Sequence, residues 1–151
     1  AMVKGIQSQG VAATVKHFAL NNKETDRKHS DSRVSERAAR EIYLKAFEYV
    51  IKGAKPWAVM SSYNIINGCY ASENKELLED ILRDEWGFDG MVTTDWWTLG
   101  EHYKEVKAGN DMKMACGDPK RLKEAMDQGL LTRQDLEHCA ERVLNLILKL
   151  D

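Results

Sequence analysis

The sequence predicts an α/β fold in which short parallel strands alternate with helices. Three observations support this prediction: apolar, strand-like runs recur four times, a helical pattern follows each run, and turn residues separate them. Strands that alternate with helices form βα units, whose strands pair in a parallel sheet that the helices cover. About four units fit into 151 residues, either as a small open sheet or as part of a (β/α)8 barrel, which normally needs about 250 residues.

The first unit begins with the run GVAATVKHF at 10–18, whose β-branched residues favour a strand. The polar segment 21–33 predicts a loop. The segment 35–53 predicts a helix, because Ser35 can cap its N-terminus and Gly53 can end it.

The same alternation then repeats along the chain. We expect a second strand at 57–63, a loop at 64–72, and a helix at 73–87 with Ser72 as its cap. The remaining predicted elements are a third strand at 89–95, a short helix at 98–109, a fourth strand at 111–116, a helix at 118–129, and a last helix capped by Thr132.

Composition and charge exclude two classes of partner. The chain is 43% hydrophobic, which suits one globular domain with its own core. A net charge of −2 with interspersed signs gives no basic patch, so we expect no nucleic-acid partner. No apolar run approaches the roughly 20 residues that a membrane span requires, so we expect no membrane partner.

The cysteines are odd in number and far apart in the sequence, at Cys69, Cys116 and Cys139. This spacing disfavours a disulfide framework and a zinc site, and it suits free thiols in a reducing compartment. We therefore expect a cytoplasmic protein. The sequence contains neither HExxH spacing nor a glycine-rich phosphate loop, so we expect no metal and no cofactor.

Polar and aromatic residues lie at the carboxyl ends of the first three predicted strands and within the fourth. Strand by strand, they are Lys16 and His17; Met60, Ser61, Ser62 and Tyr63; Asp95, Trp96 and Trp97; and Lys113 and Met114. The carboxyl ends of parallel strands meet at one edge, where function concentrates. Polar groups that bind hydroxyls, a ring that stacks on a sugar and a carboxylate nucleophile or base together suit a carbohydrate site.

Each of these residues also has a purely structural interpretation. Asp95 could cap a helix at the turn after its strand. Trp96 and Trp97 could pack against neighbouring helices, and His17 could form a half-buried polar pair with Lys16. Several such coincidences at successive strand ends are much rarer than any one of them.

Five blocks of the sequence resemble successive blocks of the family 3 glycoside hydrolases, of which the β-glucosidases are the best-known members. They are VKHFALNNKETDR, AVMSSYNIINGCYASEN, LLEDILRDEWGFDGMVTTDWW, AGNDMKMACG and LTRQDLEHCAERVLNLILKL, in the family's order. The resemblance implies that residues 1–151 are the C-terminal half of the family's catalytic (β/α)8 barrel. The first two residues, an Ala before a Met, suggest an expression-vector scar.

The resemblance also implies a role for each residue of the site. Asp95 in the TDW block corresponds to the nucleophile, and the residues that correspond to sugar contacts are Lys16, His17, Met60, Tyr63 and Trp96. The implied reaction is retaining hydrolysis of terminal β-linked sugars through a covalent glycosyl-enzyme. Asn22, Glu24 and Arg27 belong to a matching block, but no firm role is carried over to them.

Several parts of the family pattern have no match in this sequence. The earlier barrel strands, the α/β sandwich domain and the glutamate that acts as general acid/base are missing, and MACG replaces the usual MPG. We therefore expect the isolated chain to be inactive or very weak, with the missing barrel half and the sandwich domain as its natural partners. A half barrel would expose two sheet edges, which predicts a homodimer. The alternative is a complete small α/β module that binds a ligand without catalysis.

Overall fold

The computed structural model describes residues 1–151 and confirms the α/β fold with parallel strands and surrounding helices. The strands are β1 Thr14–Phe18, β2 Asp31–Ser32, β3 Ala58–Ser61, β4 Ile65–Ile66, β5 Cys69–Tyr70 and β6 Met91–Thr93. The α-helices are α1 Met2–Gln7, α2 Glu36–Ala38, α3 Lys45–Ala54, α4 His102–Ala108, α5 Pro119–Asp127 and α6 Arg133–Leu150. Ala39–Tyr43 and Glu76–Glu85 are π-helical, and Ala71–Glu73 forms a 3₁₀ turn.

The main sheet consists of β1, β3 and β6, which pair in chain order and run parallel. Residues of β3 pair with both neighbours, so that Ala58 lies opposite Thr14 on one side and Met91 on the other. Helices connect these strands, as the alternation in the sequence predicts.

The predicted fourth strand at 111–116 is wrong as a strand, because only one parallel bridge, between Thr93 and Met112, forms there. Side chains bind several of the backbone groups that a ladder would use. The Val92 amide donates to Asp111 Oδ2 at 2.7 Å, and the Met114 amide donates to Thr94 Oγ1 at 3.0 Å. Such side-chain bonds compete with regular pairing and keep this segment irregular.

A second, small sheet lies in segments for which we predicted plain loops. In it β2 pairs parallel with β4, and β4 forms an antiparallel hairpin with β5. The hairpin turn is Asn67-Gly68, and both residues have positive φ, at 49° and 92°. An Asn-Gly pair is a strong signal for such a two-residue turn, and our prediction overlooked it.

The core lies between the main sheet and its helices. Its fully buried members include Phe18, Leu78, Leu82, Val59 and Val92. A smaller cluster of Val106, Ala125, Leu131 and Cys139 joins α4, α5 and α6. None of the helices combines the length and the apolar character that a membrane span requires.

Two of the three predicted N-caps, Ser35 and Thr132, are present in the structure. Ser35 Oγ accepts from the Ala38 amide at 3.3 Å, and Thr132 forms a reciprocal capping box with Asp135. Ser72 does not cap the following helix, because the Leu77 amide donates to Asn74 Oδ1 instead.

Candidate active site

Asp95 lies two residues after the end of β6, and only 6% of its surface is exposed. Its Oδ1 accepts a hydrogen bond from the Trp96 amide at 2.7 Å, and its Oδ2 lies 3.4 Å from His17 Nε2. Helix α4 begins only at His102, so Asp95 caps no helix and that interpretation is wrong. The carboxylate is therefore held firmly at a strand end, with one oxygen directed towards an imidazole.

The two residues at the end of β1 differ in their contacts. His17 is half-buried and reaches Asp95, whereas the Lys16 side chain is exposed and forms neither a hydrogen bond nor an ion pair within the chain. Because the two do not pair with each other, the interpretation as a half-buried polar pair is wrong. Lys16 is thus an exposed side chain without a partner in the chain, and it precedes in sequence the histidine that contacts Asp95.

Tyr63 follows β3 and is buried beside Asp95. Burial raises the pKa of its hydroxyl, and the negative charge of Asp95 raises that pKa further. Met60, the other residue predicted from this strand, is half-buried within β3. The structure therefore brings Asp95, His17 and Tyr63, from three neighbouring strands, into one group.

Two cations that we did not assign to the site cover the Tyr63 ring. Arg27 Cζ lies 4.6 Å and Lys28 Nζ 4.9 Å from its centroid, within the range of cation–π attraction. Both residues belong to the loop after β1. Arg27 belongs to one of the blocks that resemble the family and Lys28 follows it directly, but neither signal indicates the contact with Tyr63.

The two tryptophans after Asp95 form an exposed aromatic surface. Trp96 is 46% and Trp97 57% exposed, so the interpretation that both pack against helices is wrong. Their ring centroids lie 5.3 Å apart, and the ring planes are tilted by 56°. Exposed indole faces beside a buried carboxylate suit stacking on a sugar ring.

A buried ion pair supports the segment that follows the tryptophans. Lys113 Nζ donates to Glu105 Oε2 at 2.5 Å, to Thr98 Oγ1 at 3.1 Å and to the Gly100 carbonyl at 3.0 Å. Ser72 Oγ donates to the other Glu105 oxygen at 2.9 Å. Lys113 lies in the segment predicted as the fourth strand, and no local pattern in the sequence indicates this ion pair.

The chemistry available to the group follows from its charges and exposure. A fixed carboxylate with one oxygen near an imidazole can act as a nucleophile. No three His, Cys, Asp or Glu side chains are grouped so that they could hold a metal ion.

Comparison with protein families and curated proteins identifies related sequences. Residues 1–146 match the family described as "Glycosyl hydrolase family 3 N terminal domain". Beta-glucosidase A of Butyrivibrio fibrisolvens is 63% identical over 137 residues, which covers 91% of this chain and 16% of that protein. An exo-alpha-(1->6)-L-arabinopyranosidase of Bifidobacterium longum is 44% identical over 149 residues, which covers 98% of this chain and 20% of that protein.

Solved structures give the same relationship. Beta-glucosidase 3B from Thermotoga neapolitana, solved in complex with glucose, superposes with a TM-score of 0.93 at 44% identity, covering 97% of this chain and 22% of that one. The chain spans less than a quarter of the length of each of these relatives. The family match covers nearly the whole chain, and it favours the barrel over a separate ligand-binding module. The chain belongs to glycosyl hydrolase family 3.

Proposed function

We propose that this chain is part of a retaining β-glycosidase in which Asp95 is the catalytic nucleophile. The observation that carries the proposal is the position of Asp95, buried at the end of β6 with Oδ2 3.4 Å from His17 Nε2. A nucleophilic carboxylate must be held rigidly below the sugar, and the hydrogen bond from the Trp96 amide to Oδ1 restricts its rotation.

In the proposed reaction an Asp95 oxygen forms a bond to the anomeric carbon while the glycosidic C–O bond breaks. A general acid protonates the departing oxygen, and the same group then takes a proton from the water that releases the sugar from Asp95. We propose that this acid/base comes from a part of the full-length protein outside these residues.

The sugar contacts in this proposal are Lys16, His17, Met60, Tyr63 and Trp96. Lys16 is exposed and has no partner in the chain, so it can donate to a sugar hydroxyl without breaking an existing bond. The exposed Trp96 ring offers an apolar face for the pyranose.

We propose a terminal β-linked glucose as the substrate group. The support is the name of the relative with 63% identity, a β-glucosidase, and of the superposed structure in complex with glucose. The relative named as an arabinopyranosidase, with 44% identity, makes an arabinopyranoside the competing substrate to test.

We further propose that the chain is the C-terminal half of the family's catalytic barrel and acts in the cytoplasm. The three βα units of the main sheet and the parallel bridge at Met112 support four units rather than eight. Free thiols support the compartment. The other barrel half and a sandwich domain would then complete the site, and the isolated chain would be inactive or very weak.

The experiment is nucleophile labelling and substitution in the full-length protein that carries these residues. A 2-deoxy-2-fluoro β-glucoside should attach to a peptide that contains Asp95, and Asp95→Asn should lower kcat by roughly 10⁴-fold. Asp89→Asn is the matched control, because Asp89 precedes the same strand but is exposed to solvent. Unchanged activity of Asp95→Asn, or a label elsewhere, would contradict the proposal.

A further inference from the structure

Lys28 connects the three segments that build the candidate site. It belongs to the loop after β1, its Nζ lies 4.9 Å from the ring centroid of Tyr63 after β3, and the same Nζ donates to the Trp97 carbonyl at 3.0 Å. Trp97 lies two residues after Asp95. The Lys28 side chain therefore links the loop after β1, Tyr63 after β3 and the turn after β6 that carries Asp95.

The bond to Trp97 is the only hydrogen bond that Lys28 makes. Lys28 also forms no ion pair, although its neighbours Arg27 and His29 pair with Glu24 and Asp26. Lys28 as a residue is half-buried, and its ammonium group lies between the Tyr63 ring and the Trp97 carbonyl at a contact that is open to solvent. Because the Lys28 ammonium group has no carboxylate partner, its hydrogen bond goes to the Trp97 carbonyl. This charge-assisted bond can fix the position of that carbonyl.

The Trp97 backbone needs external support. Its φ of +52° lies in the left-handed region, which a residue with a bulky side chain adopts rarely. The Trp97 amide donates to the Met114 carbonyl at 3.3 Å, and the Trp97 carbonyl accepts from Lys28. These two bonds hold the peptide groups on both sides of Trp97.

The orientation of Asp95 depends on the same turn. Asp95 Oδ1 accepts from the Trp96 amide at 2.7 Å, so a displacement of the turn that moves this amide would remove the hydrogen bond that orients the carboxylate. The tilt between the two indole rings also depends on the backbone of this turn.

We infer that Lys28 is a positioning residue that fixes the Asp95–Trp97 turn through the Trp97 carbonyl. The effect of Lys28 on catalysis rests on the proposed function, whereas its effect on the geometry of the Trp96–Trp97 indole pair does not. Lys28 contacts neither the substrate nor the reacting oxygen of Asp95. It acts on Asp95 indirectly, through the backbone of the Asp95–Trp97 turn.

The first test uses the indole pair of the 151-residue chain. Two indoles 5.3 Å apart and tilted by 56° should give an exciton signal in the far-ultraviolet circular dichroism, isolated by subtracting the spectrum of Trp96→Phe. We expect Lys28→Met to lose most of this signal and Lys28→Arg to keep it. Lys23→Met, which removes a charge from the exposed part of the same loop, should leave it intact. Urea midpoints of all variants show whether each is folded.

The second test measures kinetics in the full-length protein. Removing one charge-assisted hydrogen bond from the turn should lower kcat on an aryl β-glucoside about tenfold for Lys28→Met, with a smaller change in KM and partial rescue by Lys28→Arg. An indole signal that survives Lys28→Met would overturn the inference, and so would an unchanged kcat in an active protein. If the protein has no glycosidase activity, the proposed function fails, and the indole signal still decides the inference.

Discussion

Lys113 Nζ lies 2.5 Å from Glu105 Oε2, in an ion pair whose side chains are only 6% and 1% exposed. The lysine also holds Thr98 and the Gly100 carbonyl, so the pair joins α4 to the segment that follows the tryptophans. Buried charges of this kind depend on each other, because either one alone would be costly to keep away from water.

The first prediction follows from that dependence. Lys113→Met should lower the free energy of unfolding by about 3–5 kcal/mol, because Glu105 is left buried without its partner. Lys104→Met, which breaks the exposed Lys104–Glu101 pair of the same helix, should change it by at most about 1 kcal/mol. Urea denaturation of both variants measures the difference.

A double substitution separates two contributions to the lost stability, the unpaired charge of Glu105 and the lost side-chain volume of Lys113. Glu105→Leu added to Lys113→Met removes the stranded charge, so much of the lost stability should return. If Lys113→Met lowered the free energy of unfolding no more than Lys104→Met does, the charges of Lys113 and Glu105 would be solvated, and their ion pair would not be buried in solution.

The second prediction concerns the titration of Tyr63. Burial and the charge of Asp95 raise its pKa, so Asp95→Asn should bring that pKa down towards its usual value while burial keeps it somewhat raised. The tyrosinate absorbance during a pH titration, with Tyr63→Phe as the blank, measures the change. An identical titration in both backgrounds would show that the two side chains are not adjacent.

The raised Tyr63 pKa also gives a pH dependence of stability. The folded state holds the phenolic proton more tightly than the unfolded state, so this stabilisation is complete below about pH 10 and is lost as the pH rises through the folded-state pKa. The free energy of unfolding should therefore decline more steeply at alkaline pH in the native sequence than in Tyr63→Phe.

Local patterns predicted much of the fold. The apolar runs located β1, β3 and β6, and Thr132 marked the start of α6, because these signals lie within a few neighbouring residues. The fourth strand failed because the side chains of Asp111 and Thr94 bind backbone groups, a competition that strand propensity does not register.

The contacts of the site were predictable only in part. A parallel sheet brings its strand ends together, which is why Asp95, His17 and Tyr63 could be expected to meet. The Lys28 bond to Trp97 and the Lys113–Glu105 pair depend on how long side chains lie across separate segments, and no local pattern encodes that. Both involve basic residues that composition alone would assign to a solvated surface.

The third prediction concerns cysteine reactivity. Burial raises the pKa of Cys139 to about 12, and this thiol packs in the small cluster between α4 and α6. Only about one molecule in 10⁴ should carry the thiolate at pH 8, so native Cys139 should react with iodoacetamide roughly 10³-fold more slowly than in the unfolded chain. Peptide mass spectrometry resolves it from Cys69 and Cys116, which are only half-buried. Rapid native labelling of Cys139 would mean that α6 separates from the cluster.

The last prediction concerns self-association of the chain, which we propose from its uncovered apolar surface. Helix α6 exposes Leu144, Ile147 and Leu148, the last of these by 71%, and β1 has no neighbour on one side of the sheet. Sedimentation equilibrium at micromolar concentration should show a dimer that Leu148→Glu converts to a monomer, because a buried carboxylate without a partner opposes association. Ile42→Glu adds the same charge at an equally exposed site on another helix and should leave the dimer intact. A monomer throughout the micromolar range would contradict the homodimer, and a dimer insensitive to Leu148→Glu would place the contact at the sheet edge instead of α6.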